Sequence, residues 1–484
     1  MRRREFLNTM GQAALGLAGA VALGRSRAAR GTEAAVGRQP NIIFILADDL
    51  GYGDVGCYGQ KWIKTPTIDR LAAEGIRFTQ CYSGSTVCAP ARSCLMTGLH
   101  TGHTRIRWNA PGYNEGRILL PEDLTVAEIL KQAGYATGLV GKWGLGEPDT
   151  TGHPNRKGFD YFFGYLDQVH AHDYYSDYLF RNEEKVVLEG NLDGKQGQYS
   201  NDLFDREAQD FVKRSKDEPL FLDLTFTLPH GKYQVPSLEP YAATDWTPWQ
   251  KTYAAMVTRL DMYIGRLMSL LKELGLDQNT VVFFSSDNGP AGLGGDWTKF
   301  NGAGPFRGKK GDPYEGGIRV PMIARWPGRI QPGAVSEQVW AFWDFLPTAA
   351  EIAAATVPAG IDGISMLPAL LGKPGKAQKN HEFLYWEFYQ GGFSQAVRMG
   401  DWKAVRFGLK EPLELYDLKN DVGEKSNVAS THPDIVATIE KYLETARSDS
   451  RPWPAKDRRV ARKPGKKAAK NKPKKTQTEA EENE

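Results

Sequence analysis

The chain has 484 residues, of which 25% are charged and 41% hydrophobic, a composition typical of a globular protein long enough to bury a large core. The net charge of +3 is uneven: residues 1–29 carry +4 and residues 451–484 carry +7, which leaves −8 on the part between them. The basic charge therefore belongs to the two ends. It gives no argument for nucleic-acid binding by the folded body, so we expect no nucleic-acid partner.

The first 29 residues have the layout of a bacterial export signal. Three consecutive arginines from residue 2 are followed by an apolar, glycine- and alanine-rich run at 13–24 and by two alanines at 28–29. The paired arginines resemble those of twin-arginine signals, which predicts the twin-arginine export machinery as a partner and a periplasmic or secreted location. The apolar run is too short for a transmembrane helix, so we expect no stable membrane span. An uncleaved N-terminal anchor is the alternative.

The other end of the chain is of low complexity. Residues 451–484 are mostly Lys, Arg, Pro and Ala, followed by Glu, and they show no apolar periodicity. This composition predicts a disordered basic tail. Such a tail either binds an acidic polymer or only adds solubility.

The four cysteines lie in one early segment, at Cys57, Cys81, Cys88 and Cys94. A disulfide framework is usually spread through a small secreted chain, so this clustering does not predict one. A bridge between Cys57 and Cys81 is disfavoured as well, because twin-arginine export implies folding in the reducing cytoplasm.

Apolar runs alternate with helical patterns through the middle of the chain. The runs are typical of strands buried on both faces and lie at 41–47, 220–226 and 280–284; the helical patterns lie at 66–74, 125–133 and 253–274. This order predicts an α/β fold over residues 38–377, with a large, mostly parallel sheet sandwiched by helices. Aromatic alternations followed by a helical pattern at 431–446 predict a smaller C-terminal domain, an antiparallel sheet plus helix, at 378–450.

Polar residues follow directly after two of the apolar runs. Asp48 and Asp49 end the first run, and Asp287 and Asn288 follow the run at 280–284. Ligands bind beyond the carboxyl ends of parallel strands, so these side chains are expected at one site. All-oxygen ligands suit a hard divalent cation rather than zinc, and Ca²⁺ is favoured over Mg²⁺ because it tolerates irregular shells. Either motif alone is better explained as a turn, and only their joint position at buried strand ends makes a metal site comparably well supported.

Cys88-Ala-Pro-Ala-Arg92, with Thr97-Gly98 after it, resembles the signature of the sulfatase family, formylglycine-dependent hydrolases of the arylsulfatase type with an alkaline-phosphatase-like fold. Other stretches resemble further family motifs in the family's order: 41–51, 65–71, 134–143, 286–289, 307–311 and 314–321. The resemblance runs through nearly the whole predicted catalytic body. It implies a sulfuric ester hydrolase that acts on a sulfated small molecule or saccharide.

The resemblance also implies the chemistry. In the family the cysteine is oxidised to formylglycine, which implies a formylglycine-generating maturase as a partner. Hydrated formylglycine at Cys88 is a gem-diol: one hydroxyl attacks sulfur, and the other drives the release of sulfate. Arg92 and Lys142 are expected to hold this residue, and Lys310 a sulfate oxygen. His230 is the candidate acid for the leaving oxygen. The implied metal ligands are Asp48, Asp49, Cys88, Asp287 and Asn288.

The sequence departs from the family at Gly144. The family usually has Gly-Lys-Trp-His-Leu-Gly, and this chain has Gly-Lys-Trp-Gly-Leu-Gly at 141–146, so the usual acid–base histidine is missing. His170 and His172 are the candidate substitutes or substrate contacts. The alternative is a polar loop with two structural histidines.

Three functions remain open. The leading one is hydrolysis of sulfated carbohydrates, with the loops at 160–180 and 389–393 lining a saccharide cleft; an aryl sulfate or choline sulfate is the simpler substrate. The second is a phosphate or phosphonate ester hydrolase of the same superfamily, whose metal sites are richer in histidine and favour manganese. The third is a non-catalytic binder of sulfated glycans. Gly144 is its only support, and the retention of Cys88, Arg92 and the metal ligands argues against it.

Overall fold

The structure is a computed structural model, and it describes residues 38–109, 116–292, 297–372, 377–389 and 391–455. The described residues from Gln39 onward belong to one compact unit. The predicted export signal at 1–29, and the predicted tail from residue 456 onward, lie outside the described residues. Within the described part of the chain, no helix is long and apolar enough to cross a membrane.

Fifteen strands occur in the described residues. They are β1 Asn41–Ala47, β2 Ile76–Tyr82, β3 Ala136–Lys142, β4 Tyr161–Tyr165, β5 Tyr178–Arg181, β6 Glu184–Val187, β7 Leu220–Thr225, β8 Thr280–Ser286, β9 Arg319–Arg325, β10 Ala334–Ser336, β11 Trp340–Ala341, β12 Leu384–Phe388, β13 Ser394–Met399, β14 Trp402–Arg406 and β15 Glu414–Asp417. The α-helices of the same residues are α1 Pro66–Glu74, α2 Cys88–Thr97, α3 Val126–Gln132, α4 Ser200–Arg214, α5 Pro248–Glu273, α6 Glu315–Ile318, α7 Phe345–Ile352, α8 Leu367–Leu371 and α9 Pro433–Leu443.

The large sheet has eleven strands in the order β10-β2-β9-β8-β1-β7-β3-β4-β5-β6, with β11 also paired to β2. Its centre, from β8 to β4, is entirely parallel, whereas β9, β5 and β6 run antiparallel to their neighbours. The predicted sheet, mostly parallel and flanked by helices, is therefore confirmed.

Alternate side chains of β1 point into two separate apolar layers. Ile43 and Ile45 pack with α1, α4 and α5 on one face of the sheet, and Ile42 and Phe44 pack with α2, α3 and α7 on the other. Burial on both faces explains why the sequence of this strand is an unbroken apolar run. The carboxyl ends of β1, β7 and β8 lie side by side, which brings the residues that follow them to one edge.

Helix α5 begins five residues before its predicted start at 253. Thr247 caps it: its hydroxyl accepts from the backbone N–H of Gln250, while Gln250 reaches back to the N–H of Thr247. Pro248 occupies the first helical position, where its missing N–H costs nothing. Because the apolar periodicity starts only at 253, the sequence pattern missed this polar first turn.

The second sheet is antiparallel, with the order β12-β13-β14-β15, and its last strand was not predicted. It packs directly on the larger sheet. Trp386 donates to the Ser83 carbonyl at 2.9 Å, and the buried Lys403 lies 2.9 Å from Glu315. The second sheet therefore contacts and supports the segment that precedes Cys88. The domain boundary at 378 stays a prediction. Trp453 is buried, so packed structure reaches past the predicted start of the tail at 451.

Asp223 is buried in β7, and its Oδ1 has no hydrogen-bond partner among the described residues. Burial raises the pKa of Asp223 to about 7, although Arg92 opposes the shift. The folded state thus holds a proton that the unfolded chain releases near pH 4, so this group costs stability as pH rises from about 4 to 7.

We therefore expect Asp223→Asn to raise the free energy of unfolding at pH 8 by roughly 2–4 kcal/mol and to change it little near pH 4. Urea unfolding at both pH values measures the difference. The exposed Asp245→Asn serves as the control and should show no such pH dependence. An equal effect of Asp223→Asn at both pH values would contradict the assignment.

Candidate active site

Cys88 is the first residue of α2, and every residue of that helix is buried. Its Sγ lies 3.4 Å from Oδ1 of Asp48 and 3.6 Å from Nζ of Lys310. Burial, with the nearby charges of Asp287 and Asp48, raises the pKa of Cys88 to about 12. An unmodified thiol here stays protonated at neutral pH and is a poor nucleophile.

The predicted metal ligands converge at the carboxyl ends of β1 and β8. Asp49 has a positive φ of 66°, which turns the chain after β1 so that Asp48 and Asp49 both face the site. The N–H of Asp49 donates to Oδ1 of Asp287 at 3.1 Å, and Nδ2 of Asn288 donates to Oδ1 of Asp49 at 2.7 Å. All four residues are fully buried or nearly so.

Three cations lie against these carboxylates. Lys142 Nζ is 2.7 Å from Asp48, and Lys310 Nζ is 2.7 Å from Asp49. Arg92 Nη2 is 2.9 Å from Asp287. Although burial opposes ionisation, Lys142, His230 and Arg92 hold the pKa of Asp48 well below its usual range.

The site fits a hard divalent cation. Ligand atoms of Asp48, Asp49, Cys88 and His230 lie within 4.8 Å of one another. Oδ1 of Asn288 is buried without a hydrogen-bond partner among the described residues, as is expected of an atom whose partner is an ion. Burial and the charge of Asp48 raise the pKa of Asp287, a repulsion that a bound cation would relieve.

His230 follows β7 and faces the same cluster. Its Nε2 lies 3.4 Å from Oδ2 of Asp49, and its Nδ1 contacts the Gly231 carbonyl, which leaves Nε2 as the nitrogen directed into the site. Burial lowers the pKa of His230, while Asp49 and Asp48 act in the opposite direction. The sequence singled out His230 as an acid but not as a neighbour of the metal ligands.

The structure separates the two histidines that were predicted together. The ring of His172 stacks on that of His230, with centroids 4.3 Å apart. His170 points elsewhere: its Nε2 is 2.5 Å from the Ser176 hydroxyl, and its ring lies 4.2 Å from that of Tyr178. His172 thus lies beside His230, whereas His170 packs within its own loop, and both side chains line the same open cavity. Their roles as substrate contacts stay predictions.

We expect His172→Ala to lower kcat/KM by about 10- to 100-fold, because it removes both a contact for the substrate and the ring that orients His230. The melting temperature should change little, since His172 is partly exposed. Steady-state kinetics measure the effect, with His432→Ala beside the distant Trp402 as the control. Unchanged kcat/KM in His172→Ala would remove His172 from the site.

No sequence signal singled out Gln168. Gly144 has a positive φ of 83°, and the side-chain amide of Gln168 fills the space beside it. The two residues are 24 positions apart, and nothing in their spacing indicates contact.

A mostly parallel sheet flanked by helices, with clustered carboxylates and buried cations at its carboxyl edge, is the architecture of a hydrolase of anionic esters with the alkaline-phosphatase-like fold. A family model described as Sulfatase matches residues 40–355, and one described as N-sulphoglucosamine sulphohydrolase, C-terminal, matches residues 309–449. The chain belongs to the sulfatase family and hydrolyses sulfate esters.

Relatives match along most of their length. The chain is 30% identical to N-acetylgalactosamine-6-O-sulfatase of Bacteroides thetaiotaomicron over 487 residues, which covers 85% of this chain and 94% of that protein. It is 33% identical to arylsulfatase A of Homo sapiens over 465 residues, which covers 84% and 87% respectively. The crystal structure of Ps i-CgsB in complex with k-i-k-neocarrahexaose matches with a TM-score of 0.73 at 30% identity, covering 84% of this chain and 93% of that one. The predicted family and enzyme class are confirmed.

Proposed function

We propose that the protein removes sulfate from sulfated carbohydrates, with formylglycine made from Cys88 as the nucleophile and a divalent cation, Ca²⁺ in preference to Mg²⁺, beside it. The observation that carries this proposal is the position of Cys88. Its Sγ borders both the carboxylate of Asp48, in the predicted metal site, and the ammonium of Lys310. Formylglycine supplies there an oxygen nucleophile together with a second hydroxyl that lets the sulfate leave.

The cation would be held by oxygens of Asp48, Asp49, Asp287 and Asn288, together with residue 88. The unpaired Oδ1 of Asn288 and the crowded carboxylates support this assignment. Ligation by these oxygens would favour a hard cation, and calcium tolerates irregular shells better than magnesium. When bound, the ion supplies positive charge beside the nucleophile and the sulfate.

The cationic side chains divide between the nucleophile and the sulfate. Arg92 donates to the carbonyl of Lys142 at 2.7 Å while it pairs with Asp287, so the two cations are held together on the side of residue 88. Lys310 spans Asp49 and the Cys88 thiol, which places it to hold a sulfate oxygen as negative charge develops. His230, when protonated, donates from Nε2 to the departing alcohol oxygen.

A saccharide fits the open cavity beside His172. This cavity of about 550 Å³ is lined mainly by polar side chains, including His172, Asp173, Asn191 and Lys232. Saccharides are bound by such polar groups together with aromatic rings, and Tyr175 provides a ring at the wall. A relative of this chain is known in complex with a neocarrahexaose, which supports a carbohydrate substrate. Tyr389 belongs to the second loop that was predicted to line the cleft, at 389–393. Its hydroxyl instead donates hydrogen bonds to the Glu387 carboxylate and to the Trp453 carbonyl.

The burial of residue 88 bears on the order of maturation and folding. Its side chain is only 1% exposed, so a maturase must reach it before the pocket forms. We therefore propose modification in the cytoplasm, export of the folded protein by the twin-arginine machinery, and activity in the periplasm or outside the cell. The arginine-rich start of the sequence supports this order of events.

A panel of esters tests the substrate class. Ion chromatography of released sulfate would compare sulfated galactose and N-acetylgalactosamine oligosaccharides, an aryl sulfate and choline sulfate, with a phosphonate monoester assayed in parallel by release of its alcohol. We expect the highest kcat/KM on a sulfated saccharide. Preference for the phosphonate ester, in protein that binds manganese, would contradict the proposal. Binding of saccharides without any turnover would support the non-catalytic alternative.

A further inference from the structure

The turn that carries His230 is held at three of its carbonyl groups. It follows β7, and the N–H of His230 donates to the Thr227 carbonyl at 2.9 Å. The Leu228 carbonyl accepts from the N–H of Asp48 at 2.9 Å, which ties the turn to the end of β1. The hydroxyl of Tyr174 lies 2.6 Å from the Thr227 carbonyl and 2.7 Å from the His230 carbonyl. One hydroxyl therefore fixes the first and last carbonyls of the turn.

Tyr174 is itself firmly held. It is fully buried, and its ring stacks on that of Tyr199 with centroids 5.4 Å apart. Its carbonyl accepts from the N–H of Ser200, the first residue of α4, at 2.9 Å. Burial raises the pKa of Tyr174 well above its usual range, and the charge of Asp48 acts in the same direction. The hydroxyl therefore keeps its proton at neutral pH and can donate it to these carbonyls.

The orientation of the His230 ring depends on the position of this turn. Nδ1 of His230 contacts the carbonyl of Gly231, the next residue of the chain, so a shift of the backbone would carry the ring with it. The ring also stacks on that of His172, which lies two residues before Tyr174. Nε2 is thereby directed into the site, 3.4 Å from Oδ2 of Asp49.

We propose that Tyr174 is a positioning residue that holds His230 in the orientation in which its Nε2 donates a proton to the departing alcohol oxygen. This inference rests on the proposed function, which assigns that proton to His230. In that step the S–O bond of the ester breaks, the proton passes from Nε2 to the alcohol oxygen, and His230 is left neutral. An acid acts only within hydrogen-bond reach of the leaving oxygen, so a small displacement of the ring loses part of its effect.

Tyr174→Phe tests the role, because it removes the hydroxyl and keeps the ring stacked on Tyr199. We expect kcat/KM for the best sulfated substrate to fall about 10-fold, measured by ion chromatography of released sulfate. His230→Ala should lower it by about 100-fold or more. The double variant should be no slower than His230→Ala alone, because Tyr174 acts only through His230. A purely structural loss would instead add to the loss in His230→Ala.

The leaving group provides a second readout that a purely structural role would not move. 4-Nitrophenol departs readily as an anion and needs little help from an acid, whereas 4-methoxyphenol needs more. We expect Tyr174→Phe to keep kcat/KM for 4-nitrophenyl sulfate within about threefold of wild type. On 4-methoxyphenyl sulfate the same variant should lose about 10-fold. His230→Ala should show the same dependence on the leaving group, and more steeply.

Tyr199→Phe is the matched control. Tyr199 is also buried and stacks on Tyr174, but its hydroxyl donates to the Gln234 carbonyl at 2.8 Å, outside the turn. The control also removes one buried donor, so its melting temperature should fall about as much as that of Tyr174→Phe. We expect its kcat/KM to stay at the wild-type value for both aryl sulfates.

The outcomes separate this inference from the proposed function. Wild-type rates in Tyr174→Phe, equal losses on both aryl sulfates, additive losses in the double variant, or the same pattern in Tyr199→Phe would overturn the role of Tyr174. A wild-type chain that releases no sulfate from any ester would contradict the proposed function. Normal turnover by the wild type, with no leaving-group dependence in His230→Ala, would overturn this inference and leave the formylglycine mechanism in place.

Discussion

Replacement of Cys88 by serine is expected to abolish steady-state release of sulfate, with a loss on the order of 10⁴-fold or more in kcat. A serine hydroxyl at this position can attack sulfur, since Lys310 and the metal ligands remain in place. It would then carry a sulfate ester with no second hydroxyl to expel it. We therefore expect at most one equivalent of alcohol per protein molecule, measured as a burst with an aryl sulfate.

Cys94→Ser is the matched control for this experiment. Cys94 lies on the same helix, is equally buried, and has its Sγ 3.6 Å from the Gly84 carbonyl, where a serine hydroxyl can donate. Its variant should keep kcat within a few-fold of wild type. Sustained turnover by Cys88→Ser would mean that residue 88 is not the nucleophile.

Removal of the divalent cation is expected to have the second large effect. Dialysis against a chelator should lower kcat/KM by roughly 10³-fold or more, because the ion's charge beside the nucleophile is lost. Calcium should restore activity better than magnesium, since calcium accepts oxygen ligands without the strict octahedral geometry that magnesium requires. Elemental analysis of the purified protein, with activity measured after each addition, tests both statements.

Asp49→Asn tests the same metal site by changing a predicted ligand instead of removing the ion. The change removes one negative charge among the ligands and the partner of Lys310, so metal content and kcat/KM should both fall, by about 10- to 100-fold in metal affinity. The exposed Asp245→Asn should change neither. Full activity in metal-free protein, or in Asp49→Asn with no bound metal, would contradict a metal-dependent mechanism.

The centre of the large sheet was predictable because its strands are buried on both faces. An unbroken apolar run marks such a strand, and the predicted bounds of β1 agree with those of the structure. The strands β2 to β6, β9 to β11 and β15 were not predicted. Of these, β5, β6 and β15 are four residues long and partly exposed, so their sequences carry neither an apolar run nor a clear alternation. Strands β3 and β9 are buried, but glycine, proline and charged residues interrupt their apolar runs.

The positions of the site residues were predictable to a similar degree. Motifs at the carboxyl ends of parallel strands converge by the geometry of the sheet, which explains why Asp49 and Asp287 meet. The pairing of individual charges was not predictable. Lys142 lies 94 residues from Asp48, and only the register of β1, β7 and β3 brings the two together.

The positions of the side chains in the loop after β4 could not be predicted from the sequence. His170 and His172 are two residues apart in a polar stretch, and no periodicity indicates which of them faces the site. The short helical turn at 170–172 directs the ring of His170 to Tyr178 and the ring of His172 to His230. Gln168 carried no motif at all, since its position depends on the absence of a side chain at Gly144.

The mass of the peptide that contains residue 88 tests the central claim most directly. Cleavage after Arg77 and Arg92 yields residues 78–92, which also contain Cys81 as an internal thiol control. In protein from the native host, fragment ions should show a loss of about 18 Da at residue 88. This loss corresponds to the replacement of sulfur by oxygen and the removal of two hydrogens. The mass at Cys81 should be unchanged. That result would establish the aldehyde. An intact thiol at residue 88 in an active preparation would contradict the formylglycine mechanism.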